Sequence, residues 1–78
     1  MTADKFFTKD SGEIVNRAYI RARAMAALRR SSRNLSLPER EAVLIRTVDN
    51  DAWLTPRNGY LVSAICREVS EIAFLSPR

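Results

Sequence analysis

Three helix starts are spelled out along these 78 residues, and no stretch keeps a period of two long enough to define a sheet. Asp10 precedes Glu13 by three positions, the reciprocal capping arrangement that satisfies orphan amide donors. Ser36-Leu37-Pro38-Glu39 repeats that logic and adds a proline in the first turn, where a missing N–H costs nothing. Thr55-Pro56 gives a third cap with its own first-turn proline. The expected helices cover about residues 11–32, 37–48 and 56–75.

Their apolar positions say how they pack. On the first helix Val15, Ala18, Tyr19, Ala22, Met25 and Ala26 line one side, and Ile20, Ala24, Ala27 and Leu28 line another. A helix apolar on two sides has neighbours on both, so one neighbour is expected from a second subunit. The second helix is expected to bury Leu37, Leu44, Ile45 and Val48. Asp49-Asn50-Asp51 ends it, because short polar side chains compete for backbone hydrogen bonds, and Trp53 and Leu54 then plug the core. The third helix has a stripe of Leu61, Val62, Ile65, Val69, Ile72 and Ala73. Ser63, Arg67, Ser70 and Glu71 lie opposite, with Arg67 and Glu71 one turn apart as a pair. Gly59 weakens its first turn by about 1 kcal/mol relative to alanine, which points to close packing or a late helix start. The fold expected is all-α: one domain over residues 1–78, a small three-helix bundle. A chain this short buries only about 60% of its unfolded surface, so dimerisation is expected to complete the core.

Composition excludes much chemistry. With no histidine and one cysteine, the chain has no base for a nucleophilic relay, no usual Cys/His zinc set and no internal disulfide. Gly12 and Gly59 are too far apart for a phosphate loop. Asp49-Asn50-Asp51 opens like a calcium loop, but Trp53, Leu54 and Tyr60 stand where that loop needs an oxygen ligand, glycine and glutamate. Cys66, at the edge of an apolar stripe, reads as a small buried hydrophobe. Glu39 with Glu41, and Glu68 with Glu71, read as surface charge on amphipathic helices. No catalytic residue, cofactor or metal is expected. The longest apolar run, Ala24 to Leu28, falls far short of the ~20 residues of a membrane span. A lone thiol without an export signal points to a reducing cytoplasm.

Charge is divided unevenly. Residues 1–34 hold eight basic and three acidic residues, a net of +5, and residues 35–78 hold five and six, a net of −1. Arg17, Arg21, Arg23, Arg29, Arg30 and Arg33 follow one another without an intervening acid. Guanidinium groups grip phosphate bidentately, so these six are candidate nucleic-acid contacts. They fall on separate lines of the helix, however: Arg17 with Arg21, Arg23 with Arg30, and Arg29 with Arg33. The alternative is a solvated helix whose arginines pair with acids on the other helices. Arg29-Arg30-Ser31-Ser32 also resembles a basophilic kinase substrate, though cations at a helix C-terminus suit the dipole in any case.

Arg57 and Asn58, near the start of the third helix, are candidates for touching base edges in a helix-turn-helix. The connection from Asp49 to Leu54 spans six residues, where that motif's turn takes three or four. Leu37-Pro38-Glu39-Arg40-Glu41-Ala42-Val43-Leu44 resembles the opening helix of the promoter-recognising C-terminal region of sigma factors, without that family's Gly-containing turn and following helix. Leu54 to Glu71 is similar, across a gap, to the small helical connector proteins of enterobacterial biofilm regulation. Each resemblance covers a fraction of the chain and assigns no family. Phe6 and Phe7 either staple the N-terminus to the bundle or anchor a partner. With Ile20, Ala24, Ala27 and Leu28 they form the candidate protein interface.

The function expected is a small, non-enzymatic regulatory binding protein. Its specific form is a DNA-binding transcriptional or phage-type regulator that uses the arginine-rich helix. The competing expectations are a protein-binding adaptor or inhibitor, and a structural subunit of a larger assembly.

Overall fold

Asn16, not Asp10, caps the first helix. A computed structural model describes residues 6–30, 35–57 and 60–75. In it, Phe6–Thr8 (β1) and Ile14–Asn16 (β2) form an antiparallel hairpin with Phe6 opposite Asn16, Phe7 opposite Val15 and Thr8 opposite Ile14. Gly12 takes φ of 97°, a left-handed conformation that closes the turn and that side chains resist. The Gly12 amide donates to the Lys9 carbonyl and the Lys9 amide to the Glu13 carbonyl, each at 2.8 Å. The expected Asp10–Glu13 capping pair is therefore a hairpin turn. The same polar residue types suit either structure, and the glycine followed by β-branched Ile14-Val15 decides for the strand. The far edge of β1 is also engaged, since the Thr8 amide donates to the Tyr60 carbonyl at 3.1 Å and Thr8 bridges Leu61 in parallel. The expected all-α fold thus becomes a mostly helical one that carries a small two-stranded sheet.

Helix α1 runs Arg17–Arg29, with the Asn16 side chain accepting from the Tyr19 amide at 3.1 Å. Helix α2 runs Leu37–Arg46 and opens with the full capping box. The Ser36 amide donates to Glu39 Oε1 at 2.8 Å, and the Glu39 amide donates to Ser36 Oγ at 3.4 Å. It stops at Thr47, a buried polar residue whose hydroxyl donates to the Val43 carbonyl at 2.8 Å. Asn50 both follows that break and starts the next element, accepting from the Ala52 amide at 3.0 Å to cap the short helix α3, Asp51–Leu54. Thr55 closes α3 instead of opening a new helix, because its hydroxyl donates back to the Asp51 carbonyl at 2.6 Å. A 3-10 turn covers Thr55–Arg57, and α4 runs Val62–Leu75. The third helix expected from residue 56 is thus split, with the late start that Gly59 suggested. Among the described residues no helix is long and apolar enough to cross a membrane.

The core joins the hairpin and the four α-helices. Phe7, Ile20, Ala24, Leu28, Val43, Leu44, Val48, Leu54, Val62, Ile65, Val69 and Ala73 are buried together, with Trp53 packed against them at the rim. The most extensive packing is α1 on α4. Of the two apolar sides of α1, only the one with Ile20, Ala24 and Leu28 is buried; Ala18 and Ala22 are exposed. These three residues, and Phe7, were expected at a partner interface, but they are buried in the chain's own core. Of the candidate interface set, Phe6 is exposed and Ala27 half-buried. Leu37, Ile45 and Leu61, read as core, are exposed. On α2 the buried positions are Val43 and Leu44, and Val48 reaches the core from the turn beyond the helix end.

Within β1 the alternation of a strand decides which phenylalanine matters, since Phe7 has no exposed surface and Phe6 is 44% exposed. Phe7→Ala is expected to destabilise the protein by about 3–5 kcal/mol, as for other buried phenylalanines. Phe6→Ala should cost about 1 kcal/mol or less. Urea unfolding of both variants checks the register, and equal losses would contradict it.

Candidate anion-binding groove

The arginines of α1 separate into two groups. Arg17 pairs with Asp51 at the start of α3. Arg21 forks, its Nη2 donating to Glu41 Oε1 at 2.9 Å and its Nε to Asp49 Oδ2 at 3.1 Å. The hydrogen bond to Asp49 does most to push the Arg21 pKa above its ordinary value; burial works against the shift and the bond to Glu41 adds to it. Arg21 is thus a fixed cation that ties α1 to α2 and to the turn after it. Exposed pairs of this kind contribute about 0.2–1 kcal/mol each, so their larger effect is to fix the geometry.

Arg57 is also committed. Its guanidinium lies 4.1 Å from the centre of the Trp53 ring, and its Nη1 donates to the Trp53 carbonyl at 2.8 Å. Its Nη2 donates to Glu68 on α4. It locks the 3-10 turn onto α4 and is not presented to a base edge. Arg33 and Asn58 lie outside the described residues.

Arg23, Arg29 and Arg30 behave differently. All three are exposed, and none has a side-chain ion pair or side-chain hydrogen bond with a described residue. Arg23 and Arg30 line a groove of about 500 Å³ bounded by three segments. The hairpin turn contributes Lys9, Asp10 and Ser11, α1 contributes Tyr19, Arg23, Ala27 and Arg30, and α4 contributes Val62, Ser63 and Cys66. This volume lies within the usual range for small-molecule sites, about 300–1,000 Å³. Three cations face one carboxylate across the lining.

Local contacts hold the groove's hairpin wall. Lys9 Nζ donates to Glu13 Oε1 at 3.0 Å and sits 5.4 Å from the centre of the Tyr19 ring. The bond to Glu13 raises the Lys9 pKa. Ser63 Oγ donates to Asp10 Oδ1 at 3.1 Å, which fastens the turn to the start of α4. Val62 and Ser63 are the first residues of that helix, so the positive end of its dipole lies in the groove wall. Cys66 lies on the floor. Burial pushes its thiol pKa up, while the positive charges of Arg23 and Arg30 pull it down.

By charge, such a lining suits an anion. The thiol is neutral at ordinary pH, and among the described residues no group of His, Cys, Asp or Glu is placed to hold a metal ion. The sequence does place Arg23 and Arg30 on one helical line. It does not reveal the groove, because Lys9, Tyr19, Ser63 and Cys66 reach it from segments far apart in the chain. The chain matches no protein-family model, and no curated protein or solved structure matches it.

The state of Cys66 gives a direct check. A folded thiol pKa above the unfolded value means that burial of the neutral thiol contributes stability below the unfolded pKa, and that this is lost as pH rises through the folded pKa. At pH 7 iodoacetamide should alkylate Cys66 at least about tenfold more slowly in the native protein than in urea, with the native rate rising at alkaline pH. Equal rates at pH 7 would contradict the burial.

Proposed function

We propose that this chain is a small non-enzymatic regulatory protein that binds nucleic acid, of the transcriptional or phage-regulator kind, through the basic face of α1. One observation carries the reading: Arg23, Arg29 and Arg30 are left without carboxylate partners among the described residues, while Arg17, Arg21 and Arg57 are neutralised within the fold. Unneutralised guanidinium groups on an exposed helix end attract phosphate, and binding of that kind releases counterions. The contact set is thus narrower than the eight residues read from the sequence, with Arg17, Arg21 and Arg57 assigned to holding the fold together. A symmetric dimer would present this face twice and would suit a duplex with two half-sites.

A second reading, a protein-binding adaptor, draws on the outer face of the hairpin. The register puts Phe6 and Ile14 on the side away from the core, next to exposed Tyr60 and Leu61. Apolar area of this kind is a common feature of protein contacts.

A gel-shift titration with duplex DNA across a salt series tests the first reading. Three phosphate contacts predict a slope near −3 for log K against log salt, about 0.9 for each contact. The double change Arg23→Glu and Arg30→Glu should weaken binding at least about tenfold, while Arg17→Gln should leave it within about twofold. Absence of binding at low salt, together with a stoichiometric complex with one protein from the native cell, would favour the adaptor.

A further inference from the structure

We infer that the free edge of β2 is a self-pairing surface, and that its partner is a second copy of this chain, joined antiparallel about Val15. The surface is separate from the basic face of α1, so the inference stands apart from the nucleic-acid reading.

The hydrogen bonds of β1 fix which groups that edge presents. Thr8 donates its amide to the Tyr60 carbonyl, away from β2. Thr8 and Ile14 are therefore a non-hydrogen-bonded pair of the hairpin, and the Ile14 amide and carbonyl point outward from the opposite edge. The two kinds of pair alternate along an antiparallel ladder, so Phe6 and Asn16 form another of the same kind, and the Asn16 amide points outward too. Among the described residues neither amide has a backbone partner. Ile14 is 65% exposed and Asn16 is exposed, which leaves the edge open. Ile14-Val15-Asn16 has no proline and no charge, the devices by which proteins guard an edge strand.

A second copy fits this edge because the edge is complementary to itself. In a two-fold pair every contact occurs twice, residue i on j and j on i. With the axis at Val15, Ile14 lies opposite Asn16 of the second copy, and the Ile14 amide and carbonyl meet the Asn16 carbonyl and amide. The Asn16 carbonyl, as that of an N-cap, also accepts the first bond of α1, and it offers its second lone pair here. The two Val15 side chains meet at the axis as a β-branched cross-strand pair, on the face that already packs on the core.

Charge favours the same axis. Glu13 and Arg17 stand one position beyond the two ends of β2, opposite in sign and evenly placed about Val15. The rotation sets Glu13 beside Arg17 of the second copy. Within the chain Glu13 holds Lys9 and Arg17 holds Asp51. Pairing joins these into a row of alternating sign on each side of the axis: Lys9 and Glu13, then Arg17 and Asp51 of the second copy. An axis at Ile14 would set Glu13 opposite Val15 and lose both charge contacts.

Sedimentation equilibrium and amide hydrogen exchange of the full chain, each across a concentration series up to about 1 mM, test the pairing. A monomer–dimer equilibrium is expected, with exchange at Ile14 and Asn16 slowing as the dimer fills. Glu13→Arg and Arg17→Glu each bring like charges together twice and should each weaken the dimer at least about tenfold. An equal mixture of the two variants brings opposite charges together again, so it should associate at least about tenfold more tightly than either variant alone. A natural chain that stays monomeric throughout the series would overturn the inference. So would a dimer that leaves exchange at Ile14 and Asn16 unchanged, or a mixture that associates no better than its components. DNA binding by such a monomer leaves the nucleic-acid reading standing.

Discussion

The burial of Ile20, Ala24 and Leu28 against α4 is the contact on which the rest of the structure depends. Ala24 is fully enclosed and has almost no side chain, so the two helix backbones can approach closely at the middle of the contact. Ile20 and Leu28 bracket it, and each large apolar side chain removed from water is worth about 1.5–3 kcal/mol. Phe7 closes the end of this seam from the hairpin, and Leu44, Val48 and Leu54 close its side. Once α1 lies on that face, every other residue on it has a fixed direction. Arg23 and Arg30 turn toward the groove, and Arg17 and Arg21 turn toward the acids of α2 and α3.

That division of charge follows from one rotation of one helix. A run of six arginines without an acid reads as a uniform basic rod, but in the folded chain its first part is largely neutralised. Asp49, in the turn between α2 and α3, and Asp51, the first residue of α3, supply part of that neutralisation. The connection between α2 and α3, capped by Thr47 and Asn50, thus also holds α1. The cations left over sit at the C-terminal half of α1, where positive charge also suits the helix dipole.

How much was legible from sequence depends on how local the cause was. The start of α2 was readable to the residue because Ser36, Pro38 and Glu39 act within one turn. Most of the α4 stripe was readable from its strong 3.6 period, whereas α2 ends at Thr47, ahead of the Asp49-Asn50-Asp51 break expected, and Asn50 instead caps α3. The hairpin was not, because strands of three residues are too short to display a period of two, and Asp10 with Glu13 satisfies a cap and a turn equally well. Gly12 before Ile14-Val15 was the signal that separates them. On α1 two apolar sides of similar weight were visible, and only packing on α4 chooses between them. Leu37 and Ile45 misled for the converse reason, since a large apolar residue on a short helix can lie in water when its neighbours Val43 and Leu44 fill the available space. The groove was not readable at all as a site, because it is assembled from three segments that meet only in the folded chain.

The functional reading and the groove both follow from the orientation of α1, so that orientation is the claim to test first. Methyl nuclear Overhauser contacts in the isotopically labelled full chain measure it directly. The account predicts cross-peaks from the Ala24 methyl to methyls of Ile65 or Val69, and none from the methyls of Ala18 or Ala22 to α4. Cross-peaks from Ala22 to α4, with Ala24 silent, would place the other side of α1 in the core and contradict the account.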